Sequence, residues 1–447
     1  MNDSAALQEP SFKEALRFWS KLGWITFGGT ASHIAIMHDE LVEKKRWISN
    51  ESFLHAFSHC MILPGPEAQQ LSIYIGWKLH GKRGGIVAGT LFVLPSMFIL
   101  LALSVVYVRF GTLAWVAAMF GGLKLAVIAL VIVALLRIGS KALHGPVHVV
   151  VAMTTFAAMF FFDVSLLLVM FGAVVLGIVL GVVRGRLRFR LDRSTSETPA
   201  AEDEDSHSIR QSSTPPEPFA LLPLIKLVVS VVLLWLAPLL ILYLFVNDFH
   251  FWAVLVLFFT KTAFVTVGGS YTVIPYVAQV AVTKLQWLSK LQMMDGFALA
   301  ETTPGPLIIV VAFVGFLAAY NHFNGSVWMG ILGLLATTFY TFLPCFFFVF
   351  AGAPLVERTQ NQPMIKTVLG LITAVVVGAI LDLTVFLGKG VIFPSGVVDL
   401  RHLSAVAVCG VLVSLLLLQK FKMKVIPLVL SSAAFGLLRH FLSNWAF

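Results

Sequence analysis

The chain carries one pattern twice, and this internal repeat restricts the folds open to it more than any other feature. "KLGWITFGGTASHI" (21–34) aligns with "KTAFVTVGGSYTVI" (261–274) at an offset of 240 residues. The same offset aligns "PGP" (64–66) with "PGP" (304–306), so one register holds over forty-six positions without a gap. We infer two homologous halves, roughly 10–183 and 251–445, an organisation typical of secondary transporters.

The apolar content of the chain indicates an integral membrane protein of the all-α class. Hydrophobic residues make up 58% of the chain and charged residues only 12%, about half the usual charged fraction of a soluble domain. Runs such as "FVLPSMFILLALSVVYV" are long enough to cross a hydrocarbon core of roughly 30 Å and too long for barrel strands. The formal net charge of +9 is therefore attributed to basic cytoplasmic loops and not to nucleic-acid binding.

The first residues and the cysteines of the chain give little information about fold or function. The first residues, "MNDSAALQEPSF", lack a basic region followed by an apolar core, so no cleavable signal peptide is expected. Cys60, Cys345 and Cys409 lie apart in apolar segments and predict neither a disulfide framework nor a metal site. No cofactor is predicted.

Composition divides the chain into four parts. Residues 1–183 form the first repeat and 251–447 the second. Between them, 184–218 is basic, then acidic, and rich in Ser and Pro, which predicts a flexible polar linker. Residues 219–250 contain one further apolar helix, about 220–246, that has no counterpart in the first half.

The basic loops predict an unusual path through the membrane. Five arginines at the start of the linker place it in the cytoplasm. The other basic clusters of the first half reach the same side only if 13–43 and 51–80 each enter the membrane and return, as re-entrant pairs or as two short spans. Four helices then cross the membrane, at about 84–108, 112–136, 147–162 and 164–183, and Asp163 marks the outer turn between the last two.

The unmatched helix predicts that the second half is inverted relative to the first. It carries the chain outward, so equivalent loops of the second half should be poor in Lys and Arg. The loop 318–326 contains neither residue. The N-terminus is then cytoplasmic and the C-terminus lies outside. Lys389 and Arg401, also predicted to lie outside, fit this pattern poorly.

Pro64-Gly65-Pro66 and Pro304-Gly305-Pro306 predict broken helices, because proline lacks an N–H group and glycine holds no fixed backbone. Non-helical backbone at membrane depth persists only where protein buries it or where it lines a wet cavity. A new helix beginning at the break, with Pro66 in its first turn, presents free N–H groups and a positive dipole end that suit an anion. Two kinked helices packed at glycines are the alternative, but four breaks in matched register, two Gly-Gly and two Pro-Gly-Pro, favour a substrate cavity.

The candidate substrate-binding residues are those at and beside the four breaks. They are Lys21, Thr26, Gly28, Gly29, Thr30, Pro64, Gly65, Pro66, Gln69, Lys261, Thr266, Gly268, Gly269, Ser270, Thr303, Pro304, Gly305 and Pro306.

Three titratable residues are candidates for proton coupling. Glu67 and Glu301 flank the Pro-Gly-Pro breaks, and His33 follows the first Gly-Gly element. A carboxylate beside an anion site fits a proton carrier whose charge alternates with the substrate. Equally, each carboxylate could cap helix N–H groups or pair with Lys21 or Lys261.

Other polar residues in apolar segments have simpler interpretations. His55 and His59 share a helical face with metal-binding spacing, but the second half offers no matching pair, so packed histidines are the better interpretation. Lys124 is expected to face the interior of the helix bundle. Asp295 is expected to begin the helix that leads to the second Pro-Gly-Pro break.

The motifs "FGGTASHIAIMHDELVEKKRWIS", "ILPGPEAQQLSIYIGWKLHGKRGGIVAGTLFVLPS" and "VGGSYTVIPYVAQV" together resemble the chromate ion transporter family in its long form with two homologous domains. The resemblance covers nearly the whole chain. It implies an exporter of chromate in the cytoplasmic (inner) membrane that is driven by the proton-motive force and confers chromate resistance. The sequence departs from the family pattern at Thr30, where proline is usual, and at Val267 and Ser270 in the second Gly-Gly motif.

Two other functions stay open at this stage. Sulfate or another tetrahedral oxyanion has nearly the shape and charge of chromate, and the sequence does not separate these substrates. A membrane-embedded enzyme could use Glu67, His59 and Glu301 as acid, base or ligands, although catalysis rarely needs a repeated constellation. The expected partners are the oxyanion and membrane lipid, and a homodimer is left open.

Overall fold

The structure is a computed structural model that describes residues 9–26, 30–194, 221–266, 270–359, 363–393 and 404–445. Every regular element within these ranges is helical, and no strand occurs among them. The all-α prediction is therefore confirmed. Most of the predicted linker, from residue 195 onward, lies outside the described residues.

The helices follow the same order in the two halves, with α8 between them. The first half contains α1 (Phe12–Ile25), α2 (Thr30–His38) with a π-helical turn (Asp39–Lys44), α3 (Asn50–Cys60), α4 (Glu67–Phe110), α5 (Ala114–Ala142), α6 (Pro146–Phe162) and α7 (Leu166–Ser194). The second contains α9 (Phe249–Val265), α10 (Ser270–Ala278) with a π-helical turn (Gln279–Lys284), α11 (Lys290–Thr302), a 3₁₀ turn (Leu307–Ile309), α12 (Val310–His322), α13 (Val327–Thr359), α14 (Pro363–Ile392), α15 (Ala405–Gln419) and α16 (Val425–Trp445). The unmatched α8 spans Leu221–Phe245.

Local sequence fixes the starts of the repeated short helices. Ser49 caps α3 and the aligned Ser289 caps α11, each by accepting a hydrogen bond from a backbone N–H group in the first turn. Gln292 completes a capping box on α11, and Ser11 with Glu14 does the same on α1. Caps of this kind satisfy N–H groups that have no partner within the helix.

Helix α4 is two antiparallel arms joined at a sharp turn. His80 and Gly81 have non-helical backbone angles, and Gly81 has φ of +61°. A Cβ on Gly84 would lie 2.2 Å from the carbonyl oxygen of Gly76, so the arms 67–79 and 82–110 cross with their backbones in contact. Gly315 and Gly333 make the same crossing between α12 and α13. The turn falls beside the basic residues Lys78, Lys82 and Arg83, and the re-entrant path of 13–43 and 51–80 through the membrane stays a prediction.

Within the described ranges, seven helices are long and apolar enough to cross a membrane by length and composition. They are α4, α5, the described part of α7 to Val183, α8, α13, α14 and α16. In the first half, the arm 82–110 together with α5, α6 and α7 corresponds to the four predicted crossing helices, although α5 and α7 continue beyond their predicted ends to Ala142 and Ser194. Asp163 forms the turn before α7 with φ of +50°. This arrangement confirms a multi-pass membrane protein.

The two repeats interlock, because each lends one long helix to the other. Helix α5 of the first repeat packs on α15 and α16 of the second, and α14 of the second packs on α6 and α7 of the first. The helices touch closely: a Cβ on Gly122 would lie 2.0 Å from the carbonyl oxygen of Ser432, and one on Gly378 would lie 2.3 Å from that of Ala152. Small residues at such crossings allow helix backbones to approach.

A histidine at the matching end of each repeat holds the start of the first helix. His80 Nε2 lies 3.0 Å from the carbonyl oxygen of Pro10, and His322 Nε2 lies 2.7 Å from Asp248 Oδ2. The hydrogen bond from His322 and a second from the Phe251 N–H group hold the pKa of Asp248 below its usual value. Both side chains of the Asp248–His322 pair are largely exposed, so the pair stabilises the fold only slightly.

The interlock predicts that neither repeat folds alone. Residues 1–194 expressed by themselves would leave the contact face of α5 without α15 and α16, and we expect an aggregated or degraded product. Co-expression with residues 221–447 should restore a complex that elutes as one species in detergent. Size-exclusion chromatography of both samples is the measurement. A monodisperse, helical first repeat on its own would contradict the interlock.

Candidate functional site

The two sets of breaks bind each other by reciprocal hydrogen bonds. The Gly65 N–H group donates to the backbone carbonyl of Thr266 at 2.6 Å, and the Gly305 N–H group donates to that of Thr26 at 2.7 Å. These four residues are equivalent in pairs, since each number in the first half differs from its partner by the repeat offset. A two-fold relation between the repeats produces this exchange. The Pro-Gly-Pro break of each repeat therefore closes against the C-terminal cap of the first helix of the other repeat.

The central glycines are required by their backbone conformation and by their neighbours. Gly65 has φ of +125° and Gly305 has φ of +103°, which L-amino acids with a side chain rarely adopt. A Cβ on Gly65 would lie 2.9 Å from Cys345 Sγ, and one on Gly305 would lie 2.7 Å from Ser96 Oγ. Ser96 and Cys345 each follow a proline within a long helix, Pro95 in α4 and Pro344 in α13. The packing around the breaks is thus repeated as well.

New helices start at both Pro-Gly-Pro breaks without a side-chain cap. Pro66 is the N-cap of α4 and has extended backbone angles, whereas the sequence placed it inside the first helical turn. Pro306 is likewise the N-cap of the 3₁₀ turn. The first N–H groups after each proline, such as those of Glu67 and Leu307, have no partner within the helix, so they suit an anion, whereas the Ile309 N–H group donates to the Pro306 carbonyl. The Gly65 and Gly305 N–H groups are used in the cross-repeat bonds.

Hydroxyl groups at the breaks donate to their own helices. Thr26 Oγ1 donates to the Leu22 carbonyl and Thr266 Oγ1 to the Thr262 carbonyl, while Thr303 Oγ1 donates to that of Ala300. All three threonines are buried. Their side chains stabilise the helix ends beside the breaks, and in this conformation their hydroxyl hydrogens are not directed at a ligand.

Two glutamines follow the first break with unused acceptor atoms. Gln69 and Gln70 are buried, and neither Oε1 atom has a hydrogen-bond partner among the described residues. The Gln70 amide donates to the Pro64 carbonyl and so holds the break in shape. Sequence reasoning selected Gln69 and missed Gln70, although the motif "PGPEAQQ" contains both.

The two carboxylates beside the breaks are unpaired. Glu67 is half-buried at the first position of α4, and Glu301 is buried near the end of α11. Within the described part of the chain, neither makes a hydrogen bond or an ion pair, and Glu301 Oε1 is a buried oxygen without a partner. The capping and lysine-paired arrangements considered from the sequence are not observed there. An unpaired buried carboxyl group is costly when ionised, which suits a group that takes up a proton.

Several predicted binding residues either make no described contact at the breaks or lie outside the described residues. Lys21 and Lys261 are exposed on α1 and α9, without an ion pair in the ranges that the structure covers. Thr30 is partly buried at the start of α2. The predictions for Gly28, Gly29, Gly268 and Gly269 lie outside the described residues, and Ser270 is described only as the first residue of α10.

His33 lies in the interior next to the Thr26 break. It is fully buried and edge-on to Phe92, with ring centroids 5.6 Å apart. The ring lies beside the Thr26 backbone, yet neither ring nitrogen completes a hydrogen bond within the part of the chain that the structure describes. Two unpartnered nitrogens in an apolar setting keep His33 as a candidate for proton transfer.

A buried ion pair joins the repeats at a second place. Lys124 Nζ on α5 lies 3.1 Å from Asp295 Oδ1 on α11, with side-chain exposures of 15% and 7%. Tyr107 donates its hydroxyl hydrogen to Asp295 Oδ2 at 2.9 Å. Lys124 faces the interior as predicted. The prediction that Asp295 begins its helix is wrong, because Lys290 is the first residue of α11 and Asp295 lies within it.

The two histidines of α3, His55 and His59, pack against neighbouring rings. His59 is buried, its Nδ1 lies 2.8 Å from the carbonyl oxygen of His55, and its ring stacks on Tyr74 at 5.9 Å. Among the described residues, no group of three His, Cys, Asp or Glu side chains is placed to hold a metal ion. No hydrogen bond joins His59 to Glu67 or Glu301 in those ranges.

Comparison with known proteins identifies the family to which this repeated architecture belongs. The family model described as "Chromate transporter" matches residues 13–178 and again residues 252–437, which are the two halves that exchange hydrogen bonds at their breaks. The chain belongs to the chromate transporter family. Both matches begin at the first helix of a repeat and exclude α8, as expected for a helix without a counterpart.

Three named relatives align with this chain over most of their own length. A "Chromate transport protein" of Cupriavidus metallidurans is 27% identical over 430 residues, covering 95% of this chain and 92% of the relative. One of Pseudomonas aeruginosa is 30% identical over 387 residues, covering 85% and 82%. A "Probable chromate transport protein" of Synechococcus elongatus is 28% identical over 384 residues, covering 85% of each. No solved structure matches this chain.

Proposed function

We propose that this protein exports chromate across the cytoplasmic membrane, driven by the proton-motive force, and so confers resistance to chromate. Family membership and three relatives named for chromate transport support the substrate. The observation that carries the mechanism is the reciprocal bonding of Gly65 to Thr266 and of Gly305 to Thr26. It joins the two Pro-Gly-Pro breaks to the ends of α1 and α9 in one element shared by two homologous repeats, and we take this element to be bistable.

The breaks supply both the anion site and the gate. Uncapped N–H groups after Pro66 and Pro306 offer hydrogen bonds to the oxygens of a tetrahedral oxyanion. A dianion at either helix start must separate the facing breaks, because the glycine N–H groups are bonded across the interface. Breaking one cross-repeat bond while keeping the other opens the site toward one side. Alternation between the two gives alternating access around a fixed site.

The carboxylates link the anion to protons. Glu67 stands at the first turn of α4, where an ionised carboxylate competes with the substrate for the same N–H groups. Proton uptake removes that competition, and dianion binding is favoured when Glu67 is neutral. Glu301 precedes the second break and acts in the same sense.

Membrane electrostatics favour the outward direction. Moving one elementary charge across 100 mV is worth about 2.3 kcal/mol, and a dianion leaving a negative interior gains roughly twice that. The proposed topology places the N-terminus and the linker in the cytoplasm and the second repeat in the opposite orientation. The basic-loop pattern supports it.

The test is uptake of labelled chromate into inverted membrane vesicles that contain the protein. We expect uptake that is faster with an imposed proton-motive force and that exceeds uptake into vesicles without the protein. Unlabelled sulfate is added as competitor to rank the two oxyanions. Uptake of sulfate with no competition by chromate would replace chromate as the substrate, and uptake of neither would reject the proposed function.

Substitution of the carboxylates should remove the pH dependence of transport. Glu67→Gln mimics the protonated form, so the variant is expected to keep chromate transport while losing its pH profile. Glu301→Gln should act in the same way but more weakly, because its side chain precedes the break. The measurement is initial chromate flux as a function of pH at fixed membrane potential.

A matched control is Glu51→Gln, since Glu51 is exposed in the first turn of α3 and lies away from both breaks. It should retain the wild-type pH profile. If Glu67→Gln and Glu301→Gln also retain it, these carboxylates do not carry the proton, and His33 becomes the next residue to test.

A further inference from the structure

A cavity of about 410 Å³ lies apart from the helix breaks, between α5 of the first repeat and α11, α14, α15 and α16 of the second. Its polar lining includes Lys124, Arg439, His440, Ser404 and Ser443. No carboxylate is among the described residues that line it. A single water occupies about 30 Å³ in the liquid, so the cavity has room for a hydrated ion.

The charge of the lining is positive even though Lys124 is paired. Asp295, which does not line the cavity, forms an ion pair with Lys124, and Tyr107 donates a hydrogen bond to Asp295. Arg439 is exposed and has no ion-pair partner within the described ranges. Among the described residues, one positive charge at the wall, that of Arg439, is therefore uncompensated, and Lys124 lines the same cavity.

Two further lysines stand close to the cavity. Lys290 packs on Gly390, a lining residue, with its Cε 3.1 Å from the position of a Cβ there. Its Nζ lies 4.2 Å from the ring centroid of Phe386, and Lys389 Nζ lies 4.1 Å from that of Phe160. Lys389 is one of the two residues that fit the basic-loop pattern poorly. Its ammonium group lies against Phe160, which is not a lining residue, so Lys389 precedes Gly390 in the chain without lining the cavity itself.

The glycines of the lining have a different role. A Cβ on Gly122 or on Gly436 would strike backbone of the facing helix, at 2.0 Å from the Ser432 oxygen and 2.2 Å from the Ala118 oxygen respectively. These residues allow α5 and α16 to cross closely, and they form the floor of the cavity. Recognition of a ligand therefore falls to the charged and hydroxyl-bearing side chains.

We propose that this cavity is a second binding site for a tetrahedral oxyanion, held by Arg439 and Lys124 with the hydroxyl group of Ser404, on the outer side of the transporter. This inference rests on the proposed function for the identity of the anion and on the proposed topology for its side. Guanidinium and ammonium groups recognise oxyanions by charge-assisted hydrogen bonds. The site receives the anion after it has passed the breaks.

The experiment measures protection of a thiol placed on the cavity wall, and it needs no transport. Ser443→Cys is introduced with Cys409→Ser, because Cys409 is exposed whereas Cys60 and Cys345 are buried. The full-length protein in phosphatidylcholine nanodiscs is labelled with a thiol reagent at increasing sulfate concentrations. Sulfate serves as the probe because chromate oxidises thiols. We expect saturable slowing of the labelling rate.

Arg439→Gln in the same background should weaken the protection about tenfold in sulfate concentration, the effect of losing one charge-assisted hydrogen bond. Arg439→Lys should weaken it less. Arg137→Gln, which removes an exposed cation from the far end of α5, should leave it unchanged. Absence of protection by sulfate, or equal protection in the Arg439→Gln variant, would overturn the proposal.

A lipid headgroup is the other source of the same chemistry. Nanodiscs that contain phosphatidylglycerol are compared with those of phosphatidylcholine alone, without sulfate. Slower labelling in phosphatidylglycerol together with no effect of sulfate would make the cavity a lipid site and reject the proposal. Chromate flux is measured separately: loss of sulfate protection with intact flux rejects only the second site, whereas protection without flux rejects only the proposed transport function.

Discussion

Gly305→Ala and Gly65→Ala are expected to abolish chromate transport while the protein still inserts into the membrane. Each alanine would have to adopt φ above +100°, and a residue held in such a region is destabilised by roughly 1–3 kcal/mol. The added Cβ would also lie 2.7 Å from Ser96 Oγ or 2.9 Å from Cys345 Sγ. The break would shift, and the hydrogen bond to the opposite threonine carbonyl would be lost. Chromate flux, normalised to the amount of inserted protein, is the measurement.

Two further variants separate the effect of the close Cβ contact from that of the backbone strain. Gly172→Ala is the matched control, since no atom lies within 4 Å of a Cβ at that position in α7, and it should transport normally. Gly305→Ala combined with Ser96→Gly removes the close contact but leaves the backbone strain, so it should recover only a small part of the flux. Normal transport by Gly305→Ala alone would show that the reciprocal bond is not needed for function.

Lys124→Met should destabilise the protein by about 3–5 kcal/mol, the usual loss when one partner of a buried ion pair is removed. Asp295 would stay in the interior with only the Tyr107 hydrogen bond. Adding Asp295→Asn to this variant removes the stranded charge and keeps an acceptor for Tyr107, so most of the stability should return. The measurement is the midpoint of unfolding in detergent.

Lys141→Met provides the comparison on the same helix, because Lys141 is exposed and has no ion-pair partner in the described part of the chain. Its midpoint should match that of the wild type. An equally small effect of Lys124→Met would mean that the pair does not join the repeats energetically.

Much of the architecture could be predicted because it is encoded locally and written twice. Proline and glycine at matched positions located the breaks, and apolar length with basic loops located the crossing helices. The serines after Trp47 and Trp287 became the caps of equivalent helices. These signals depend on neighbours in the chain, so one sequence was sufficient to find them.

The pairing of distant elements could not be predicted in the same way. Nothing near Lys124 indicates that its partner is Asp295, because the two lie in different repeats and the partner of an intramembrane lysine depends on the packing of long helices. The use of the Gly65 and Gly305 N–H groups across the interface was missed for a related reason. Sequence symmetry shows that two motifs are equivalent, but not that each one binds the other.

The exchange of α5 and α14 between the repeats has a consequence for biosynthesis. Helix α5 enters the membrane when neither α15 nor α16 has been made. At typical synthesis rates, the residues between Lys124 and Asp295 take on the order of ten seconds to be made. During that interval the lysine has no carboxylate partner from the second repeat, and the contact face of α5 is exposed to lipid or to a chaperone. The first repeat therefore completes its fold only after the last helix has left the ribosome, so late truncations damage the beginning of the molecule as much as its end.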